Sequence, residues 1–409
     1  MFDVEAVRRG FPALSRTVGD RPVAYLDGPG GTQVPATVIE AMTGPMRRGA
    51  SNVHGRFAAS IDSEQTVAAA RQAMADLLGC RPDEVVFGPN MTTLTFAMSR
   101  AMGRTWTSGD NIVLTRLDHD ANVSPWMLAA RDAGVEVRFV GFDLETTQLD
   151  LAELSATVDD RTRLIAVTHA SNALGTVVDV ATVTEIGHRV GAVVFVDAVH
   201  AAPHRRIDVA GIGCDLLAVS PYKFFGPHAG CLFGRAELLA ELPAYKVRPA
   251  PDEPPERWET GTASFEAMAG VAAAVDHLAS LGAGGDRRSR LDDAFVRTAR
   301  HEERLAARFL EGIASIDGVT CHGVPEPDMA VRTPTFAVEV AGVAPGRVAE
   351  VLGAEGIFVW AGDYYAVEVM RRLGKADDGL VRIGFVNYST LGEVDRVVSA
   401  LARIAGDAD

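Results

Sequence analysis

Cysteine is scarce in this chain. Four in 409 residues, Cys80, Cys214, Cys231 and Cys321, with no C-x-x-C pair, leave no disulfide framework and no zinc or other metal site. They fit a reducing, cytoplasmic compartment. Basic residues are also short: 39 Lys and Arg face 54 Asp and Glu, a formal net charge of -15. That balance argues against nucleic acid or an anionic membrane as a partner. No apolar run is long enough to span a bilayer, and the opening M-F-D-V-E-A-V-R-R-G-F-P holds no apolar signal core. Internal repeats and low-complexity tracts are absent too. What remains is ordinary globular composition, 47% hydrophobic and 23% charged, in a chain long enough for one large domain and a smaller one.

The stretch Val193–Gly234 carries the densest chemical signal. V-V-F-V-D-A-V-H begins as an apolar, β-branched run and ends on Asp197, which suits a buried strand delivering a carboxylate at its C-terminal tip. Downstream, the apolar run Leu216–Val219 opens into a turn with one lysine, Lys223, among apolar residues, glycines and a proline. Desolvation there lowers a lysine's pKa and makes it a candidate Schiff-base amine. An ordinary lysine on a surface turn is the plain alternative. An acid on one strand end and a lysine on the next is what pyridoxal phosphate chemistry requires: the acid keeps the ring nitrogen protonated and the lysine carries the aldehyde.

Around this stretch the chain alternates strand and helix. Strands are expected at Glu84–Phe87, Asn111–Leu114, Val135–Phe139, Leu164–Val167, Val193–Val196 and Leu216–Val219. Helices are expected at Ala36–Met46, Ile61–Leu78, from about Leu94, at Trp126–Ala133 and at Val180–Val190. The pattern predicts an α/β fold with a mostly parallel sheet covered on both faces. Ligands in such sheets lie at the C-terminal strand ends, where Thr92, His119, Asn172, Asp197, His200 and Lys223 all fall. G-P-N-M-T-T at Gly88–Thr93 leads from strand to helix, a natural anion site through Met91, Thr92 and Thr93. Asn90 or Thr92 as a simple N-cap is compatible with that. The loop Tyr25–Pro35, Y-L-D-G-P-G-G-T-Q-V-P, is glycine-rich but lacks both dinucleotide and P-loop spacing. Beyond a proline- and charge-rich loop at Val247–Trp258, helices at Glu266–Leu281 and Arg290–Ile313 lead to a second alternation: Thr333–Val340, Arg347–Glu355, Ile357–Val359, Leu380–Gly384 and Leu391–Ile404. The expected organisation is an N-terminal segment 1–24 against the small domain, a large domain 25–285 and a small C-terminal α+β domain 286–409.

Together these motifs resemble the class V aminotransferase family of pyridoxal phosphate (PLP) enzymes, in its cysteine desulfurase-like branch, from Tyr25 to about Val398. The resemblance implies a fold-type I PLP-dependent transferase with a seven-stranded type of sheet. D-H-D-A-N-V-S-P-W implies that His119 stacks on the cofactor ring, and H-A-S-N-A-L-G-T that Asn172 bonds its phenolic oxygen. V-D-A-V-H makes Asp197 the pyridinium partner, with His200 where desulfurases usually carry Gln. S-P-Y-K-F-F-G-P gives Lys223 the Schiff base and Ser220 a phosphate contact, with Tyr222 replacing the usual His. Gly261–Thr262 resembles the segment that reaches the neighbouring subunit's phosphate, implying a homodimer with shared sites. V-R-I-G-F-V-N-Y-S-T makes Arg382 the clamp on the substrate α-carboxylate, where a fork-shaped guanidinium fits a bidentate anion. Arg56, in the polar loop Ser51–Phe57, and Trp360 and Tyr364 join it as substrate-side candidates.

One departure stands out. Desulfurases carry a cysteine nucleophile on the loop before that last strand. Here G-I-F-V-W-A-G-D-Y-Y-A-V-E-V has none from Gly356 to Arg382, and Asp363, Tyr364 and Tyr365 stand in its place. The four cysteines read better as small apolar filler than as nucleophiles. Cα proton abstraction by Lys223 then leads to a lyase acting on a Cβ leaving group. An aminotransferase or epimerase remains open, as does a non-catalytic PLP-binding protein, against which the intact Lys223, Asp197 and Asn172 weigh.

Overall fold

Seven strands form the central sheet of the computed structural model, which describes residues 2–407. In chain order they are β1 (Val85–Gly88), β2 (Asn111–Thr115), β3 (Glu136–Val140), β4 (Thr162–Thr168), β5 (Val193–Asp197), β6 (Leu216–Val219) and β7 (Gly230–Gly234). They lie side by side as β1-β7-β6-β5-β4-β2-β3. The run β6-β5-β4-β2-β3 is parallel, while β7 is antiparallel to both its neighbours. The sheet is thus the mostly parallel α/β sheet expected from the alternation. Period-2 alternation sends Ile165, Val167, Val194, Val196, Leu217 and Val219 into one core. It sends Leu164, Ala166, Phe195, Leu216 and Ala218 into another. Both faces are covered, which is why these strands read as continuous apolar runs. β7 is the strand the sequence does not announce, because G-C-L-F-G is short and bounded by glycines. Its start presses on the segment that follows β1: a Cβ on Gly230 would lie 2.3 Å from the Asn90 carbonyl carbon.

Helix starts follow their caps rather than the apolar period. The helix expected from about Leu94 begins at Met91, because the Asn90 carboxamide oxygen accepts from the Thr93 N–H (2.8 Å) and hydroxyl (2.9 Å). The long helix expected from Arg290 runs Arg287–Ala314, capped by Asp286 through the Ser289 N–H at 2.8 Å. It packs on the helix Phe265–Ser280 on one side, and on the helix Leu391–Gly406 and a second sheet on the other.

That second sheet is antiparallel: β8 (Val319–His322), β9 (Thr335–Val340), β10 (Trp360–Gly362) and β11 (Leu380–Gly384), in the order β8-β9-β11-β10. Phe309 of the long helix anchors its core, 4.4 Å from Phe336 and 5.5 Å from Phe385 between ring centroids. The strand expected at Ile357–Val359 is divided. Ile357–Phe358 pairs with Ala24–Tyr25, and β10 begins two residues later. The N-terminal segment reaches the same region, where Arg8 pairs with Glu393 at 3.1 Å and donates to the Tyr388 carbonyl at 2.7 Å. Among the described residues no helix is long and apolar enough to cross a membrane.

Candidate active site

Lys223, half-buried, is the centre of the site. It closes a short turn, Pro221–Lys223, directly after β6, and its Nζ donates to the Pro29 carbonyl of the glycine-rich loop. Burial, then the positive charge of Arg382, lowers its pKa to about 7, against the pull of Asp197 and Asp27. The shift brings the neutral amine within reach near neutral pH. Asp197 ends the adjacent strand β5 and accepts the Val199 N–H at 2.9 Å. Burial pushes its carboxyl up to about 6, while that N–H and Lys223 draw it down. Asp118, buried beneath, rises to about 8 by desolvation, opposed by the Thr115 hydroxyl and Asn122 amide. It therefore keeps its proton at neutral pH and leaves the local negative charge to Asp197. His119 follows β2; its Nδ1 accepts the Ala121 N–H at 3.0 Å, placing a proton of the neutral ring on Nε2. Burial, then Lys223 and Arg382, lowers its pKa to about 4, so it is neutral.

The other wall comes from the second sheet. Arg382, buried in β11, donates through Nη1 to the Asn172 carbonyl at 3.1 Å. Its guanidinium lies 4.6 Å from the Tyr364 ring centroid. Burial lowers its pKa only to about 10, so it stays cationic at neutral pH. Asn172 Nδ2 donates to the Tyr364 carbonyl at 3.0 Å, and the Asp120 N–H to the Tyr365 carbonyl at 2.7 Å. The Tyr365 ring stacks on His119, centroids 5.5 Å apart. Trp360 faces Arg382 across the β10–β11 ladder. A Cβ on Gly30 would sit 2.6 Å from its indole nitrogen and 3.4 Å from Arg382 Nη2, so any side chain there would displace the indole.

A sequence model of the family "Aminotransferase class-V" matches residues 24–397. The chain belongs to this family. It is 33% identical to a probable cysteine desulfurase of Mycolicibacterium paratuberculosis, over 99% of this chain and 58% of that protein. The chain therefore spans under two thirds of that relative's length. It is 32% identical to the aminotransferase-like protein FGM3 of Gibberella zeae, over 98% of both. Among solved structures, a cysteine desulfurase from Thermococcus onnurineus superposes with a TM-score of 0.88 at 28% identity, over 98% of both chains. The Escherichia coli cysteine desulfurase CsdA gives 0.85 at 26%, again over 98% of both. The class V aminotransferases and cysteine desulfurases are PLP-dependent enzymes, and these neighbours share the fold-type I architecture.

The class V chain gathers Lys223, Asp197, His119, Asn172, Arg382 and Tyr364 into one group. Ser220 is buried at the end of β6 beside it, and Tyr222 stacks on His228 at 4.9 Å. Met91 is buried while Thr92 and Thr93 are exposed at their helix start. His200 faces the second sheet through Nε2, 3.1 Å from the Thr333 hydroxyl and 3.0 Å from that of Thr335. Burial, then His204, Lys223 and Arg382, holds its pKa well below normal. Trp360 is half exposed at the rim. Arg56 and Thr262 are exposed on other loops and make no side-chain hydrogen bond among the described residues. Thr262 lines a groove of about 1280 Å³ together with His54 of the Ser51–Phe57 loop.

Two site groups escape the sequence reading. Asp27 is one, visible only as the acid opening D-G-P-G-G; Asp118 is the other, the acid before His119. No local pattern marks either, since both owe their chemistry to burial. The cysteines behave as filler: Cys214 and Cys231 are buried, and burial holds Cys80 up at about 12 and Cys321 at about 11.

Proposed function

We propose that this chain is a cysteine desulfurase-like lyase that removes the Cα proton of an α-amino acid and expels a substituent from Cβ. The observation that carries the reading is the convergence in one site of Asp197 at the end of β5, Lys223 in the turn after β6 and Arg382 within β11. The residues also fit PLP. Asn172 Oδ1, His200 Nδ1 and Arg382 Nε are buried without hydrogen-bond partners, as groups awaiting a polar ligand are. Met91, Thr92, Thr93 and Ser220 would hold the phosphate, His119 the ring face, Asn172 and His200 the ring oxygen, with Tyr222 alongside. Asp197 would meet the ring nitrogen and Lys223 the aldehyde. When bound, the cofactor supplies an electron sink for the charge left at Cα.

The chain's own groups do the rest. Arg382 orients the α-carboxylate, and the Tyr364 ring keeps its guanidinium in place. Lys223, its pKa lowered to about 7 by burial, accepts a proton on Nζ and can return it. Asp197 provides the negative charge that a protonated ring nitrogen needs. The missing thiol between Gly356 and Arg382, and the four raised cysteines, disfavour a persulfide carrier, so sulfur transfer through the protein is not part of the reading. That same absence favours an aminotransferase as the second reading. Thr262, which lines the 1280 Å³ groove, and Arg56, exposed on the loop that supplies His54 to it, suit contact with a second copy's site in a homodimer, with the cytoplasm as the expected location.

An absorbance scan of the purified chain with a panel of amino acids tests this. A visible Schiff-base band should appear with Lys223 intact and be absent in Lys223→Ala. Keto-acid product with the band restored supports the lyase. Conversion to an aminated cofactor that a keto acid reverses supports the aminotransferase. No band in the wild type sinks the cofactor assignment.

A further inference from the structure

Asp27 lies where the chain passes from the short strand Ala24–Tyr25 into the glycine-rich loop, its backbone bridged to Gly384 at the end of β11. Its Oδ1 is buried with no hydrogen-bond partner. Burial raises its carboxyl to about 6, and the two side-chain charges that oppose this are Arg382 and Lys223. The acid therefore stands, ionised at neutral pH, within electrostatic reach of both the lysine and the arginine of the site. The same loop supplies the Pro29 carbonyl that accepts from Lys223 Nζ.

An α-amino acid brings an anion and, one carbon away, an ammonium with three N–H donors. Arg382 suits the anion. The ammonium is left facing a site whose firmest charge, Arg382, is also positive. Of the buried groups with unused acceptor capacity there, Asn172 Oδ1 and the Tyr364 hydroxyl are neutral, and Asp197 is committed to the ring nitrogen. Asp27 is the remaining anion, and a charged acceptor makes the stronger bond to an ammonium.

We propose that Asp27 accepts a hydrogen bond from the α-ammonium of the incoming amino acid, holding the amine beside Lys223 while Arg382 holds the carboxylate. The inference rests on the amino-acid reading above. It makes the D-G-P-G-G loop part of the substrate site and predicts discrimination against carboxylates that lack the amine.

Equilibrium dialysis of the full, cofactor-loaded chain with L-alanine and with propanoate, which shares the carboxylate but has no amine, tests it. Asp27→Asn should weaken L-alanine tenfold or more and leave propanoate within twofold, and Asp27→Glu should recover part of the loss. Equal weakening of both ligands, with a melting temperature unchanged from wild type, would assign Asp27 to shaping the loop and overturn the proposal. Unchanged alanine binding would overturn it too. If Asp27→Asn melts early, Asp27→Glu decides: alanine binding kept tenfold above that of Asp27→Ala supports the role, and no difference removes it. Wild-type chain that binds neither ligand sinks the amino-acid reading itself, and the Asp27 role with it.

Discussion

Asp197 ends one strand that is apolar on both faces and Lys223 follows another by one turn, so their neighbours cannot move without opening two cores. Across the site, Tyr364 and Tyr365 sit consecutively in the left-handed region, φ 53° and 57°, where a side chain costs about 1–2 kcal/mol per residue. The sheet wall is held by burial. The second wall is held by polar ties: Asn172 to the Tyr364 carbonyl, Asp120 to the Tyr365 carbonyl, and the Tyr365 N–H to Asp363 at 2.9 Å. Such over-determined strain collects at functional sites. The contrast teaches a division of labour. Groups suited to the cofactor stand on the sheet wall, and those suited to the substrate stand on β11 and the loop before it. The loop is also where the chain departs most from the desulfurase pattern.

The sharpest way to break this comparison is Arg382→Ala. Removing the one strong cation of the second wall should lower kcat/KM for the accepted amino acid about a hundred- to thousandfold. The Lys223 absorbance band should survive. Arg382→Lys should restore only part, since an ammonium loses the fork geometry. Loss of the band as well would show that the two walls are not separable.

A middle-sized effect probes the sheet wall. Asp197 has a folded pKa of about 6 against an ordinary 3.8, so the folded chain binds its proton more tightly than the unfolded one. Its stabilising contribution is complete below about pH 4 and is lost as pH rises through 6. Asp197→Asn should remove that loss, so the cofactor-free variant gains about 2–3 kcal/mol on wild type between pH 4 and pH 7. Melting curves at intervals across this range measure it, and parallel curves would contradict the buried charge.

The smallest effect belongs to Tyr365, 69% exposed. At a left-handed position glycine carries no Cβ penalty, so Tyr365→Gly should be more stable than Tyr365→Ala by about 1 kcal/mol. In an ordinary loop conformation alanine would be the more stable of the two. Chemical denaturation of both variants decides.

Local pattern settled a good deal. The doubled-sided apolar runs of β4, β5 and β6 identify a covered parallel sheet because burial on both faces leaves no polar alternation. Their loops then place Asp197 and Lys223 on one edge. Motif resemblance added His119, Asn172 and Arg382 to the same group. Other features depend on segments that meet only in three dimensions. Asp27 and Lys223 are 196 positions apart in the chain, and their mutual charge exists only because β11 carries the glycine-rich loop onto the turn after β6. Trp360 fits beside Arg382 because Gly30 leaves the space. His200, placed by resemblance at the cofactor, is pinned through Nε2 by Thr335 of β9 and by Thr333 just before it. Desolvation and approach distance, which raise Asp118 and lower Lys223, are properties of packing, and only the tertiary structure decided them.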